Sequence, residues 1–133
     1  GHKETKISAL RVEAGIDTGD IYLKRDLSLA GTAEEILRRA ARLIFSEMIP
    51  EIVATNPKTT PQTGEVATFA RRQPPDGDIS ALTDLGQVYD YIRMLDGEGY
   101  PRAFVETKNL RIEFEQAKLA DDAVTARVKI HKK

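Results

Sequence analysis

Gly15-Ile16-Asp17-Thr18-Gly19-Asp20 decides how the first half of this 133-residue chain is read. Before it, residues 7–12 (Ile-Ser-Ala-Leu-Arg-Val) alternate apolar and polar over part of their length; after it, residues 21–27 do so less regularly. Both runs favour a half-buried strand over a helix. Two glycines, two aspartates and a threonine between them form a loop that can take positive φ and approach a ligand closely. The same composition also builds an ordinary Asx-type turn. A carboxylate on such a loop, held by strands on either side, is well placed for chemistry.

Working outward, Ala30-Gly31 breaks the pattern and Thr32-Ala33-Glu34-Glu35 reads as a capping box that opens a helix. Ile36, Leu37, Ala40, Leu43, Ile44 and Met48 fall on one face of it, and Arg38, Arg39, Arg42 and Glu47 on the other, which reads as solvated. Pro50 lacks an amide to donate four residues back, so it should kink or restart the helix, with Ile52-Val53 adding a turn. Asn56 to Gly64 reads as a linker. Residues 66–70 are a short strand candidate, and 71–78 a turn-rich charged segment. A second helix, capped by Thr83 or Asp84, carries Leu85, Val88, Tyr89 and Ile92 on one face, with Leu95 beyond, and ends at Gly97-Glu98-Gly99. Three strands are expected at 100–106, 110–117 and 124–130, joined by turns at 107–109 and 120–123. Leu110, Ile112 and Phe114 alternate with charged residues, as do Val124, Ala126, Val128 and Ile130 with polar ones, so one sheet face packs and the other is wet.

Composition excludes several classes. The net charge is −1: residues 1–64 carry nine basic and nine acidic side chains, and residues 65–133 carry eleven and twelve. Neither half is a bulk basic surface for a phosphate backbone. Without cysteine there is no disulfide, thiol nucleophile or thiolate site. His2 and His131 lie near the two ends, so no metal centre is expected. No apolar run reaches the roughly 18 residues of a membrane span, and a soluble, cytoplasmic protein is expected. Gly1-His2 reads as a tag remnant, and the abrupt start of strand-forming sequence suggests material missing upstream.

The strand–Gly-Ile-Asp-Thr-Gly-Asp-Ile–strand unit with its capped helix resembles the second part of the folate-dependent formyltransferase catalytic domain. That family includes methionyl-tRNA, glycinamide ribonucleotide and nucleotide-sugar formyltransferases. Residues 69–79 (Phe-Ala-Arg-Arg-Gln-Pro-Pro-Asp-Gly-Asp-Ile) resemble the linker after that domain. Tyr89-Asp90-Tyr91-Ile92-Arg93-Met94-Leu95 and Gly99-Tyr100-Pro101-Arg102-Ala103-Phe104 resemble its short C-terminal module. Three segments in the family's order extend the resemblance over nearly the whole chain. It implies an α/β fold: an incomplete formyltransferase-like sheet plus a long helix (1–55), a linker (56–65), and a helix with a small antiparallel sheet or partial barrel (66–133).

The resemblance also implies 10-formyltetrahydrofolate as cofactor and an amine as acceptor. Asp17 matches the catalytic aspartate, which supports a histidine and helps move protons as the amine attacks the formyl carbon. A tetrahedral oxyanion and a proton-shedding amine suit that pairing of carboxylate and imidazole. Gly15, Ile16, Thr18 and Gly19 would line the folate side, whereas Asp20 is expected to cap the turn. The family's Asn-x-His does not occur: the only asparagines are Asn56 and Asn109. The chain is therefore expected to be a fragment, inactive alone. A nucleotide-linked amino sugar is the preferred acceptor because no basic excess marks the C-terminal module, with methionyl-tRNA second. Arg71, Arg72 and Arg93 are candidate contacts to acceptor phosphates, against a reading as surface charges or linker braces. The competing class is a non-catalytic binding or dimerisation module in which the Gly15–Asp20 loop is only a turn. Exposed strand edges around residues 7–27 offer a homodimer or domain-swapped oligomer.

Overall fold

The computed structural model describes residues 1–133. In chain order it contains β1 (Glu4–Leu10), β2 (Ile21–Ser28), α1 (Ala33–Leu43), a π-helical turn (Ile44–Met48), α2 (Ile49–Thr55), a 3₁₀ turn (Pro74–Gly77), α3 (Leu85–Met94), β3 (Ala103–Glu106), β4 (Leu110–Leu119) and β5 (Val124–Lys132). The class is α/β, as expected, with two antiparallel sheets, β1–β2 and β3–β4–β5. The chain divides into two units. His2–Ala30 and Ile36–Phe69 form an N-terminal unit; Gly1, Gly31–Glu35 and Ala70–Lys133 form a C-terminal one.

In the N-terminal unit β1 pairs with β2 from Glu4↔Ser28 to Leu10↔Ile21, with a bulge at Ala9/Leu10. The first strand thus starts three residues before the expected run and stops before Val12, which is 95% exposed. Beyond the bulge the chain is held by Arg11 N–H donating to the Asp20 carbonyl at 2.8 Å. Leu27, Ile36 and Met48 are the buried apolar residues of this unit.

The capping box forms: Thr32 N–H donates to Glu35 Oε2 at 2.8 Å, and Glu35 N–H to Thr32 Oγ1 at 3.3 Å. Pro50 acts on the helix as expected. The π-helical turn precedes it, with Ile49 N–H donating to the Ile44 carbonyl, and Pro50, which has no amide to donate, stands where α-helical bonding resumes in α2. Two expectations for α1 need correction. Leu37, assigned to the apolar face, is exposed. Arg39, assigned to the solvated face, donates to the Ser28 carbonyl at 2.5 Å and the Ala30 carbonyl at 3.2 Å. A guanidinium long enough to reach back to the end of β2 satisfies carbonyls that no strand pairs.

Residues 66–70 form no strand; Val66 and Phe69 are exposed, because alternation without a partner strand gives no ladder. The preceding segment, expected as a linker, is bonded to the N-terminal unit. Ile21 and Thr60 exchange backbone hydrogen bonds of 2.8 and 2.9 Å.

The C-terminal unit is a three-stranded sheet packed on α3. Asp84 is the N-cap, its carboxylate accepting from Gln87 N–H at 2.8 Å. Ile92, 2% exposed, anchors a core of Ile79, Ala103, Val88, Tyr91, Val105, Phe114 and Ala126. β3 is shorter than the expected 100–106, since Pro101 has no N–H for a ladder. β4 runs on to Leu119 through a bulge between Glu115 and Lys118, where Gln116 takes φ +55°. Both expected turns close, with Thr107 N–H donating to Leu110 O at 2.9 Å and Ala120 N–H to Ala123 O at 2.8 Å.

Candidate functional site

The bulge at the end of β1 and the start of β2 set the mouth of the Gly15–Asp20 loop, and side chains close it. Thr18 Oγ1 donates to Gly15 O at 3.2 Å. Gln62 Nε2 donates to the carbonyls of Asp17 and Gly19, both at 2.7 Å. The Asp20 carboxylate, expected to cap the turn, instead accepts from Thr59 Oγ1 at 3.2 Å and lies 3.6 Å from Arg11 Nη2, tying the loop to distant side chains. These bonds hold Asp17 at φ +55°, a left-handed conformation that a non-glycine residue adopts at some cost. Its carboxylate is left exposed.

Asp17, Gly15, Thr18 and Gly19 line a hollow of about 220 Å³ with residues 10–13. Ile16 does not line it and is 93% exposed. Gly19 has a structural need of its own: a Cβ there would stand 1.7 Å from the Arg11 carbonyl oxygen, so only glycine lets the two chain segments cross. The hollow, about 220 Å³, is smaller than the roughly 300–1,000 Å³ of a ligand pocket and does not make a complete one by itself. Nothing in its residue types signalled Gln62, which lies far along the chain between prolines and threonines.

The candidate acceptor residues separate in the C-terminal unit. Arg93 is removed from the list. It is 7% exposed, bonds Asp90 Oδ1 at 2.6 Å and the Gly31 carbonyl at 2.9 Å, and lies 5.6 Å from the Tyr89 ring centre. A guanidinium so enclosed fastens the helix and cannot meet a ligand. Arg71 and Arg72, by contrast, line a cavity of about 710 Å³ with Gln73, Pro74, Asp76, Gly77, Met94, Leu95, Tyr100 and Pro101. Arg72 stacks at 4.5 Å over the Tyr91 ring.

The other cations of this unit's sheet are largely spent on carboxylates. Arg102 pairs with Asp96 at 2.6 Å, Arg111 with Glu106 and Glu113 at 3.0 Å, Arg127 with Glu115 at 3.7 Å, and Lys129 with Glu115 at 3.1 Å. The Lys129 hydrogen bond, opposed by burial and helped by the Arg102 and Arg127 charges, holds Glu115 below the usual carboxylate range. Lys133 does the same for Glu106, together with Arg111. At Asp90 burial works the other way, but bonds from the chain's terminal ammonium and Arg93 outweigh it and the carboxyl is lowered.

The C-terminal unit is a capped helix on a three-stranded antiparallel sheet, preceded by the Arg-Arg-Gln-Pro-Pro-Asp-Gly turn. Residues 74–131 match the family model described as "Methionyl-tRNA formyltransferase, C-terminal domain". Among curated relatives, the methionyl-tRNA formyltransferase of Kosmotoga olearia is 28% identical over 128 residues, covering 92% of this chain and 40% of that protein. The enzyme of the same name from Bartonella quintana is 31% identical over 77 residues, covering 54% of this chain and 25% of that protein. A solved methionyl-tRNA formyltransferase from Clostridium thermocellum is 52% identical with a TM-score of 0.93, covering 98% of this chain and 58% of that one. The chain thus spans less than two thirds of each of these relatives.

These matches support a formyltransferase and give no support to the preference for a nucleotide-sugar acceptor; the methionyl-tRNA alternative fits them better. The preference rested on net charge, and net charge adds a paired cation and a free one alike. Arg71 and Arg72 have no carboxylate partner, while their neighbours on the sheet do.

Proposed function

We propose that this chain is the C-terminal part of an enzyme that transfers a formyl group from 10-formyltetrahydrofolate to the α-amine of methionyl-tRNA. The observation that carries the reading is the 52% identity over 98% of the chain to the Clostridium thermocellum methionyl-tRNA formyltransferase. Bound 10-formyltetrahydrofolate would supply the one-carbon group. Asp17 would take or relay the proton that the amine sheds on attacking the formyl carbon, acting with a histidine from outside this chain, as the family resemblance implies. The backbone of Gly15, Thr18 and Gly19 would form one wall of the cofactor site. The Gln62 bonds to the Asp17 and Gly19 carbonyls would fix the backbone that carries the Asp17 carboxylate before substrate arrives, where a proton-transfer group gains from being positioned. The C-terminal unit would contact the tRNA.

The test is formyl transfer by the protein read from the gene that encodes this chain, with methionyl-tRNA and with nucleotide-linked amino sugars as acceptors. Methionyl-tRNA should be the preferred acceptor. Asp17→Asn should lower kcat by about 10²–10⁴ with the fold intact by circular dichroism. Preference for the sugar, or an Asp17→Asn enzyme within threefold of the parent, would overturn the reading.

A further inference from the structure

We infer that residues 59–62 form a strap that sets where the Asp17 carboxylate points, and that Gln62 is a positioning residue whose loss slows formyl transfer without weakening acceptor binding. The inference rests on the formyl-transfer reading of Asp17. One side-chain amide makes the tie. Both N–H groups of Gln62 Nε2 are spent, one on the Asp17 carbonyl and one on the Gly19 carbonyl, each at 2.7 Å. The other bonds of the loop, Thr18 Oγ1 to Gly15 O and Arg11 N–H to Asp20 O, do not reach residue 17. Gln62 thus grips the loop at its one non-glycine residue of positive φ, where the backbone conformation is costly and needs support from outside.

The strap is built to deliver that amide. Thr60 exchanges backbone bonds of 2.8 and 2.9 Å with Ile21, which fixes its register against the start of β2. Thr59 Oγ1 adds a bond to Asp20 Oδ2 at 3.2 Å. Pro61 then locks one backbone dihedral between the bridge and Gln62, so the side chain starts from a stiff stem. Gln62 is itself exposed, and an exposed amide–carbonyl bond adds little net stability because water replaces it. What two such bonds do fix is direction: the peptide units that follow Asp17 and Gly19 cannot turn without breaking one of them. A carboxylate that takes a proton from an attacking amine depends on direction, and a misplacement of about 1 Å costs about a hundredfold in rate. The strap therefore matters more to the chemistry than to the fold.

The test is steady-state formylation of methionyl-tRNA by the full-length protein at saturating 10-formyltetrahydrofolate, with circular dichroism to show that each variant is folded. Gln62→Met keeps the length of the side chain without its N–H groups; Gln62→Asn keeps the amide on a stem one methylene shorter. In Gln62→Met kcat should fall about 30–100-fold while KM for methionyl-tRNA stays within about threefold, and Gln62→Asn should lose about 3–10-fold. Arg39→Gln cuts the other long-range polar tie of this unit, that to Ser28 and Ala30. It should lower the urea midpoint at least as far as Gln62→Met does and leave kcat within about threefold of the parent. An unchanged kcat in Gln62→Met overturns the inference, and so does a rise in KM alone. An equal loss of kcat in Arg39→Gln also overturns it, since the effect would then be one of stability. A parent protein that formylates no methionyl-tRNA sinks the reading, and the strap with it. A parent that does so and is matched by Gln62→Met sinks the strap alone.

Discussion

The two units hold themselves together by different means. In the C-terminal unit, α3 lies on a three-stranded sheet, and Ile92 is sealed at 2% exposure with Ala103 and Ile79 around it. In the N-terminal unit a two-stranded ribbon and an interrupted helix bury only Leu27, Ile36 and Met48, and leave Phe45 70% and Val53 78% exposed. Two strands offer too little face to cover a long helix, and such a ribbon is marginal by itself. Its order leans on side chains that reach backbone: Arg39 onto Ser28 and Ala30, Gln62 onto Asp17 and Gly19. One unit is fastened by apolar burial and the other, to a greater degree, by polar ties. The exposed catalytic candidate sits in the second kind.

The largest effect should come from the sealed core. Ile92→Ala should cost about 2–5 kcal/mol, the lost transfer energy plus a cavity that the surrounding sheet cannot close. Phe45→Ala, at an exposed position of the same chemical kind, should stay within about 0.5 kcal/mol. Urea unfolding of both variants measures the contrast. Similar losses in the two would show that Phe45 is covered in solution and that the contrast between the units is false.

Next in size is a change aimed at the polar ties. Gly19→Ala puts a methyl where the Arg11 carbonyl oxygen stands 1.7 Å away, so the loop must shift at a cost of about 1–3 kcal/mol. The displacement should appear as amide NMR shifts at residues 11–20 and at Gln62, with the C-terminal unit's spectrum unchanged. Shifts spreading through residues 85–130 would contradict that picture.

What was readable in the sequence divides along the same line. Apolar periodicity exposed α3, β4 and β5, though it overstated the packed face: Val124 and Ala126 meet the core, while Leu110, Val128 and Ile130 are exposed. The Thr32/Glu35 box and the Asp84 cap are local bonds encoded within four residues. Pro50 announced its own interruption of the helix. The errors arose where contacts are distant and polar. Arg39 looked solvated because the carbonyls it bonds lie eleven and nine residues back. Residues 66–70 alternate but meet no strand. At the candidate site, residue types picked out the Asp17 loop, but its clamp, Gln62, comes from 45 residues away. The nucleotide-sugar preference came from summing charge, and the comparisons give it no support. Ion pairing, which decides whether Arg71 is free and Arg93 is not, is a property of the fold.

A third prediction uses acidity to separate the units. Glu115, 7% exposed, accepts from Lys129 and faces Arg102 and Arg127, and its carboxyl lies below its ordinary value of 4.5. A carboxyl lowered in the folded state lends stability that is fully present above that ordinary value and is lost as pH falls through the lower, folded one. The Tm of the C-terminal unit should therefore hold from pH 7 to about 5 and drop below about 4.5. Glu115→Gln should cost about 1 kcal/mol at neutral pH, small because Lys129 and Arg127 are themselves exposed, and should flatten the acid limb. An acid limb of unchanged slope in Glu115→Gln would move the origin of the acid sensitivity to Asp90 or Glu106, both also lowered by their cation partners.

A comparably small effect tests whether caps matter less where burial is complete. Asp84 satisfies one orphan amide at the start of α3, that of Gln87. Thr32 and Glu35 satisfy each other's at the start of α1. Asp84→Ala should cost about 0.5–1 kcal/mol, since Ile92 and Val88 hold α3 to the sheet however its first turn frays. Thr32→Ala removes a cap from a helix whose outer face, with Leu37 and Phe45 exposed, has less packing to fall back on, and should cost about 1 kcal/mol or slightly more. Hydrogen exchange at the first-turn amides of both helices reads this directly. Fraying should stay within the first turn of α3 in Asp84→Ala and should spread along α1 in Thr32→Ala. Fraying confined to one turn in both would mean that α1 is as firmly packed as α3, and the polar ties would then be redundant.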